Sequence, residues 1–159
     1  MSAPPPWREI VASSLGWEQA HIGLERALED LPAELRGRRP EGTPYSIWQL
    51  VEHIRIAQHD LLDFCTNPGY RHDLAWPEDY WPDDPAPPSE EAWAGSLAQI
   101  RRDRSALAQW AVEADLDLTS EIPWGEGQTF LRSVLVAADH AAYHVGQIVV
   151  LRKQLEGGW

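Results

Sequence analysis

Apolar residues recur at helical spacing in four segments of the chain, which are separated by stretches rich in proline or glycine. The first segment follows the prolines at 4–6 and is predicted to run to Leu31, because helices usually end before a proline such as Pro32. Its apolar stripe consists of Ile10, Trp17, His21, Leu24 and Leu28. The pattern therefore predicts one long first helix, with His21 in the middle of the buried face.

The second segment opens with a capping signal. Ser46 and Gln49 have the spacing of a capping box, in which each side chain hydrogen-bonds the backbone N–H of the other residue. Its apolar stripe consists of Ile47, Leu50, Ile54, Ala57, Leu61 and Cys65. The stripe stops before the turn sequence Asn67-Pro68-Gly69, so a second helix is predicted between these two signals.

The third and fourth segments carry end signals of their own. Ser89 can accept a hydrogen bond from an amide of the first turn, and the fourth segment, from about Thr129 to Leu155, is closed by Gly157. The third stripe consists of Trp93, Leu97, Ile100, Leu107 and Ala111, with Arg104 among them. The fourth consists of Leu131, Val134, Ala138, Ala141, Val145 and Ile148. Four amphipathic segments predict an all-α fold, a four-helix bundle.

The fourth segment has a second apolar face. Val136, Tyr143 and Val150 follow one another at intervals of seven and lie opposite the first stripe. A helix that is apolar on most sides is usually buried on most sides. Either this helix is central in the bundle, or its second face meets another subunit; we favour the second alternative and expect a homodimer.

The connection between the second and third helices, residues 67–88, is rich in proline and aromatic residues. Its prolines exclude a helix or a central strand. Tyr70, Trp76, Tyr80 and Trp81 favour a loop that is packed over the bundle rather than a solvated linker. The shorter connection, residues 115–128, is predicted to form turns with a short extended piece.

The length, composition and charge of the chain argue against several classes of function. The 159 residues predict one domain, spanning 1–159, and the formal net charge of -12 disfavours binding to nucleic acid or to an anionic membrane surface. The first ten residues do not have the pattern of a signal peptide, and the apolar stretches are shorter than a membrane span. Cys65 is the single cysteine, so no disulfide forms within the chain and a cytoplasmic location is expected.

Three histidines are candidates for a metal site. His140 and His144 are four residues apart, so both imidazoles project from one face of a helix and can share a divalent ion. His53 has the same position beside the apolar stripe of the second helix, whereas His59 points away from that stripe and is expected to be solvated. The spacing by itself is weak evidence, since partly exposed histidines also occur in such pairs. Three convergent histidines would leave the open position that catalytic zinc sites use.

These segments resemble the DinB/YfiT-like superfamily of metalloenzymes. The likeness rests on SIWQLVEHI at 46–54 and on DHAAYHVGQI at 139–148, with the long connection between them. It implies an up-down-down-up bundle, usually dimeric, with one divalent metal held by His53, His140 and His144. Some relatives have glutamate where this chain has His140. Zinc or nickel is the expected metal.

The resemblance also implies a class of reaction. Members include thiol-dependent enzymes, among them mycothiol- and bacillithiol-dependent transferases. We therefore expect an enzyme of thiol S-transferase or hydrolase type, in which the metal activates a thiol or water, acting on a small-molecule substrate with a low-molecular-weight thiol as cosubstrate. The alternative is a non-catalytic, metal-stabilised or ligand-binding dimeric bundle.

Five further residues are assigned candidate roles. Gln147, one turn from His144, could orient a metal-bound water or the substrate, or could be an ordinary exposed residue. The candidate substrate-binding residues are His21, Trp76, Tyr80 and Arg104. Each has a structural alternative: a hydrogen-bonded core histidine for His21, a carboxylate partner for Arg104, and loop-stapling contacts for the aromatic residues.

Overall fold

The computed structural model describes residues 5–113 and 115–158 of the chain. The α-helices are α1 (Pro6–Ser14), α2 (Leu24–Leu28), α3 (Ile47–Thr66), α4 (Glu90–Ala111) and α5 (Phe130–Glu156). Short 3₁₀ turns lie at Ala33–Leu35 and Glu78–Tyr80, and an isolated antiparallel bridge joins Glu121 to Thr129. The all-α prediction is confirmed, with α1, α3, α4 and α5 as the bundle and α2 as a short addition.

Contacts between the helices define their directions. Arg8, early in α1, donates to the carbonyl of Ala111 at the end of α4, so these two helices are antiparallel. The rings of Trp48 and Trp93 are 6.2 Å apart, near the starts of α3 and α4. Further along, Gln58 donates to the carbonyl of Ile100, so α3 and α4 run parallel.

Helix α5 runs antiparallel to α3. Leu50 near the start of α3 lines a pocket with Leu151, whereas Phe64 near its end lines another with Arg132. With α1 taken as up, α3 and α4 are therefore down and α5 is up. The up-down-down-up arrangement that the resemblance implied is confirmed.

The predicted helix ends are confirmed at three positions. The hydroxyl of Ser46 accepts from the backbone N–H of Gln49, and Gln49 Oε1 accepts from the N–H of Ser46, which completes the capping box. Ser89 accepts from Ala92 at the start of α4. Gly157 ends α5 in the left-handed conformation, with φ of 86°, which glycine adopts without steric cost.

The prediction of one long first helix is wrong. Helix α1 ends at Ser14, and the chain turns before α2 begins at Leu24. Gly16 and Gly23 lie in this break, and glycine inside a helix costs about 1 kcal/mol relative to alanine. The break allows Leu24 and Leu28 to enter the core from a separate helix. Pro4, part of the proline run before α1, lies outside the described residues.

Because of that break, the predicted stripe of the first segment is not buried as a unit. Ile10 is 56% exposed and Trp17 is 41% exposed, and His21 lies in the exposed turn. The buried residue of α1 is instead Arg8, whose guanidinium donates to the carbonyls of Ala111, Glu113 and Leu116. Arg8 thus hydrogen-bonds the last carbonyl of α4 and two carbonyls of the segment that follows it.

The core consists of two apolar clusters. One lies around the first half of α3 and the second half of α5 and includes Ile54, Val145 and Ile148. The other lies around the opposite ends of these helices and includes Cys65 and Val134. His53 and His140 lie where the two clusters meet, so the candidate site is at mid-height of the bundle.

The proline-rich loop packs on the bundle, as its aromatic residues predicted. Tyr80 is buried, and Trp81 is stacked between Tyr45 and His53, with ring centroids 3.8 Å from each. Trp76 is the exception, since 64% of it is exposed. The loop therefore forms one wall over the middle of α3.

The second face of α5 is exposed in the single chain. Val136, Tyr143 and Val150 are 36%, 64% and 40% exposed, so the alternative of burial inside one bundle is wrong. A homodimer interface on this face stays a prediction. By length and composition α5 is also apolar enough to cross a membrane, with 33% of the relevant window buried. A bundle helix that packs along α3 meets the same criterion, so this is weak evidence for a span.

Candidate metal centre

His53 comes from the second turn of α3 and is held on two sides. Its Nδ1 lies 2.9 Å from the carbonyl oxygen of Tyr80, and its ring is stacked on Trp81. A carbonyl only accepts, so Nδ1 carries the proton and the lone pair of Nε2 is available. The side chain is 2% exposed. The loop thus selects the tautomer that a metal bound at Nε2 requires.

His144 on α5 is held in the same way by a different residue. Its Nδ1 lies 2.7 Å from Oε1 of Gln147, three residues later on the same helix. An amide oxygen only accepts, so this nitrogen also donates and the Nε2 lone pair is available. Gln147 therefore contacts a candidate ligand directly, which is a positioning contact.

His140 completes the cluster from the preceding turn of α5. Its Nε2 lies 2.9 Å from Nε2 of His53, and its ring centroid is 4.5 Å from that of His144. One potential ligand atom from each of the three histidines lies within 4.8 Å of the others. The structure thus brings together the three residues that the sequence placed on two distant helices.

Electrostatics keep these histidines neutral at pH 7. Burial lowers the pKa of His53 and of His144 below the ordinary value. Burial and the proximity of His144 and His53 lower the pKa of His140 to about 3. Neutral imidazole is the form that binds a metal. A neutral, largely buried set of three nitrogens, two with their lone pairs oriented by hydrogen bonds, fits one divalent ion and leaves a coordination position open.

The surroundings of the cluster are aromatic. Trp76 lies 6.3 Å from His53, between ring centroids, and Tyr143 lies 4.9 Å from His144. Both side chains are 64% exposed, so they border the open side of the site. Trp76 is therefore near the cluster, as its predicted role in substrate binding requires.

The other candidate substrate-binding residues have different surroundings. The hydroxyl of Tyr80 donates to Asp60, and its backbone holds His53, so the contact between Tyr80 and the cluster is made by the main chain. Arg104 pairs with the carboxylate of Glu25 at 2.5 Å, which is the structural alternative named for it. His21 is exposed and lies 2.9 Å from the carbonyl oxygen of Ile22. A narrow cleft lined by both His21 and Arg104 lies behind α5.

Two residues that contribute to the site were missed in the sequence. Tyr45 supports Trp81 by stacking, and Asp60 accepts hydrogen bonds from both Tyr70 and Tyr80. Tyr45 lies outside every helical stripe, so periodicity could not select it. Asp60 is seven residues after His53 and so lies on the same face of α3. This spacing could have identified Asp60 from the sequence.

In a comparison with known protein families, residues 17–157 match the family described as mycothiol S-transferase. Searches of curated proteins and of solved structures return no match. The matched range contains all three histidines, Gln147 and the proline-rich loop. The chain thus belongs to the mycothiol S-transferase family, within the DinB/YfiT-like metal-dependent superfamily.

Proposed function

We propose that the protein is a metal-dependent thiol S-transferase in which His53, His140 and His144 hold one divalent ion. The observation that carries the proposal is the convergence of three neutral imidazoles from two helices, within 4.8 Å of one another, in a member of a thiol transferase family. Membership in that family supports S-transfer over the alternative of a non-catalytic bundle. The family name indicates mycothiol as the thiol, and zinc or nickel suits three imidazoles.

The reaction needs a sulfur nucleophile that the chain does not supply. Cys65 is 2% exposed, and burial raises the pKa of its thiol to about 11, so it is neither accessible nor ionised at neutral pH. The nucleophile is therefore a separate small thiol. A bound divalent metal would supply Lewis acidity, which lowers the pKa of such a thiol.

The protein's own residues prepare the site for that chemistry. Tyr80 and Gln147 orient two of the imidazoles, and Trp81 excludes water from one face of His53. The thiolate sulfur then forms a bond to an electrophilic carbon of the acceptor. The leaving group departs from that carbon with the bonding electron pair, and the thiol proton passes to solvent.

The test is metal content together with thiol turnover. Protein purified without a nickel column is expected to contain about one metal per chain. A variant that combines His53→Ala with His144→Ala is expected to lose both the metal and the turnover of mycothiol. His21→Ala, an exposed histidine outside the cluster, is the matched control for metal content.

The outcomes separate the parts of the proposal. Failure of the wild-type protein to bind zinc, nickel or manganese after dialysis would overturn the metal site. Metal without turnover of any low-molecular-weight thiol would overturn S-transfer while retaining the site. We also propose a cytoplasmic location, where small thiols are kept reduced, and a homodimer formed through the exposed face of α5.

A further inference from the structure

Two pockets lie on either side of the three histidines, and each is lined by residues of α3, of α5 and of a loop. The apolar pocket has a volume of about 410 Å³, and Leu50, Tyr143, Gly146 and Val150 are among the residues that line it. The polar pocket has a volume of about 420 Å³, and its lining includes Asp60, Tyr70, His72, Glu126 and Arg132. Both volumes lie within the range of small-molecule sites.

The antiparallel helices place the pockets at opposite ends of the cluster. On α5, Arg132 is eight residues before His140, about 12 Å along the axis, and Val150 is ten residues after it, about 15 Å. On α3 the order is reversed, since Leu50 precedes His53 and Asp60 follows it. Along the helix axes, the three histidines therefore lie between the polar pocket and the apolar pocket.

The apolar pocket directly adjoins the candidate metal centre. Tyr143 lines it and lies 4.9 Å from the ring of His144, between centroids. Gln147 also lines it, and its Oε1 accepts the hydrogen bond from His144. A molecule in this pocket would thus contact two residues that touch His144.

The chemistry of the two linings differs. Among the described residues, none that lines the apolar pocket is charged. Its polar groups are the side chains of Thr43, Gln147 and Gln154 together with the tyrosine hydroxyls. The polar pocket has carboxylates, a guanidinium and an imidazole. A charged or heavily hydroxylated molecule would lose hydration in the first pocket without gaining partners, whereas an uncharged hydrocarbon group would gain.

We propose that the apolar pocket binds an uncharged aryl or alkyl group of the electrophilic acceptor, while the thiol reaches the cluster from the side of the polar pocket. This inference rests on the proposed S-transfer and names the class of its second substrate. For an aryl halide, the thiolate sulfur forms the new bond to carbon and the halide leaves with the electron pair. The acceptor and the thiol thus approach the histidines from opposite directions along the helix axes.

Gly146 allows the pocket to be filled without disturbing the chain. A Cβ placed there meets no atom within 4 Å, and the residue is exposed in the middle of α5. Gly146→Leu therefore projects a side chain into the pocket. Gly95→Leu is the matched control, because Gly95 is also exposed in a helix, α4, and also meets nothing within 4 Å.

The kinetic test uses 1-chloro-2,4-dinitrobenzene as the aryl acceptor and iodoacetamide as a small one. Gly146→Leu is expected to raise KM for the aryl acceptor by about tenfold or more. In Gly146→Leu, the KM for the thiol, the metal content and the turnover of iodoacetamide should stay close to those of the wild type. In Gly95→Leu, the kinetics with both acceptors should stay close to those of the wild type. An unchanged KM for the aryl acceptor in Gly146→Leu would overturn the inference.

A binding test separates this inference from the proposed reaction. The uncharged fluorescent probe N-phenyl-1-naphthylamine should bind the wild type and Gly95→Leu, and should bind Gly146→Leu about tenfold more weakly. Val150→Gln, a helix-compatible change in the same wall, should also weaken probe binding. This variant provides the test if Gly146→Leu folds poorly. Probe binding without thiol turnover would retain the pocket and overturn S-transfer. Tyr143 and Val150 also belong to the face of α5 that we assign to the homodimer. No binding to the wild type, with a changed oligomeric mass in Gly146→Leu, would show that the dimer covers the pocket and would overturn the inference.

Discussion

Nε2 of His140 lies 2.9 Å from Nε2 of His53, although the two residues are 87 positions apart. The Nδ1 of His53 already donates to Tyr80, so in the metal-free protein His140 donates its Nε2–H to His53. A metal held at both Nε2 atoms would require that proton to move to Nδ1 of His140, which would make both facing lone pairs available. The same short contact that marks the candidate site is therefore the one that a bound metal ion would replace.

The hydrogen bond from His53 to the carbonyl of Tyr80 can be weakened without changing a candidate metal ligand. Tyr80→Phe removes the hydroxyl that donates to Asp60, so the loop carbonyl that holds His53 becomes less fixed. We expect metal affinity to fall by about tenfold, at the low end of the range for residues that support metal ligands. Competition with a chelator measures it, and the absorption spectrum of the cobalt-loaded protein should shift. Tyr70→Phe removes the other hydroxyl on Asp60 and serves as the control. An equal loss in both variants would contradict the role assigned to the loop carbonyl.

Gln147 should act through the imidazole of His144. Gln147→Leu removes the acceptor of the Nδ1 hydrogen bond, and we expect metal affinity to fall by about 10-fold to 100-fold. Gln147→Glu restores an oxygen acceptor in the same place and should recover most of that loss. Isothermal titration with zinc measures both variants. A leucine variant with wild-type affinity would show that the hydrogen bond does not support the ligand.

The metal-free protein should lose stability as the pH falls below about 6.5. Burial and the neighbouring histidines lower the pKa of His140 to about 3 in the folded chain, whereas the unfolded chain has the ordinary value of 6.5. The unfolded state therefore binds more protons between these values, and the free energy of unfolding falls with pH in that window. From about pH 7 to pH 5 this one group lowers it by about 2 kcal/mol.

Urea denaturation of chelator-treated protein across this pH range measures the effect. His140→Gln replaces the titrating ring with a neutral side chain and should flatten the dependence. A slope that is the same in His140→Gln and in the wild type would assign the pH effect to other groups.

Cys65 should be dispensable for turnover. It is buried in the apolar cluster beside α4 and α5, and burial raises the pKa of its thiol to about 11. Cys65→Ala should therefore retain the rate of thiol transfer and lose about 1 kcal/mol of stability through the removed sulfur contacts. Steady-state kinetics with thermal denaturation tests both parts. Loss of turnover in a folded Cys65→Ala protein would contradict the assignment of the nucleophile to a separate thiol.

The exposed face of α5 predicts a subunit interface. Val136→Glu places a charge on this face outside the apolar pocket and should convert a dimer to a monomer, because an unpaired charge is costly in an apolar interface. Light scattering after gel filtration measures the mass. Gly95→Glu adds the same charge on α4 as a control. A monomeric wild-type protein would contradict the predicted homodimer.

The break in the first segment shows where periodicity misleads. The stripe through Ile10, Trp17 and His21 had correct helical spacing, but spacing does not report that Gly16 and Gly23 lower the helix propensity between them. Leu24 and Leu28 gain free energy by packing into the core from a separate short helix. This gain decides that the chain breaks between α1 and α2. The apolar pattern could not predict the burial of Arg8 either, because the hydrogen-bond partner of this side chain is a carbonyl of a helix about a hundred residues away.

Local signals in the sequence determined the three long helices of this protein. The capping box at Ser46, the cap at Ser89 and the left-handed Gly157 act within one turn of the chain, so neighbouring residues suffice to place them. The face on which each histidine lies follows from helical geometry alone. Resemblance to a family then selected His53, His140 and His144 as a set.

Only the tertiary structure decided which groups surround those histidines. The tautomer of His53 depends on a loop carbonyl from Tyr80, and the low pKa of His140 depends on burial between α3 and α5. Each of the two pockets is lined by residues of α3, of α5 and of a loop. Each of these is a contact between segments far apart in the chain. Such contacts depend on how the helices pack, and helical spacing within one segment does not contain that information.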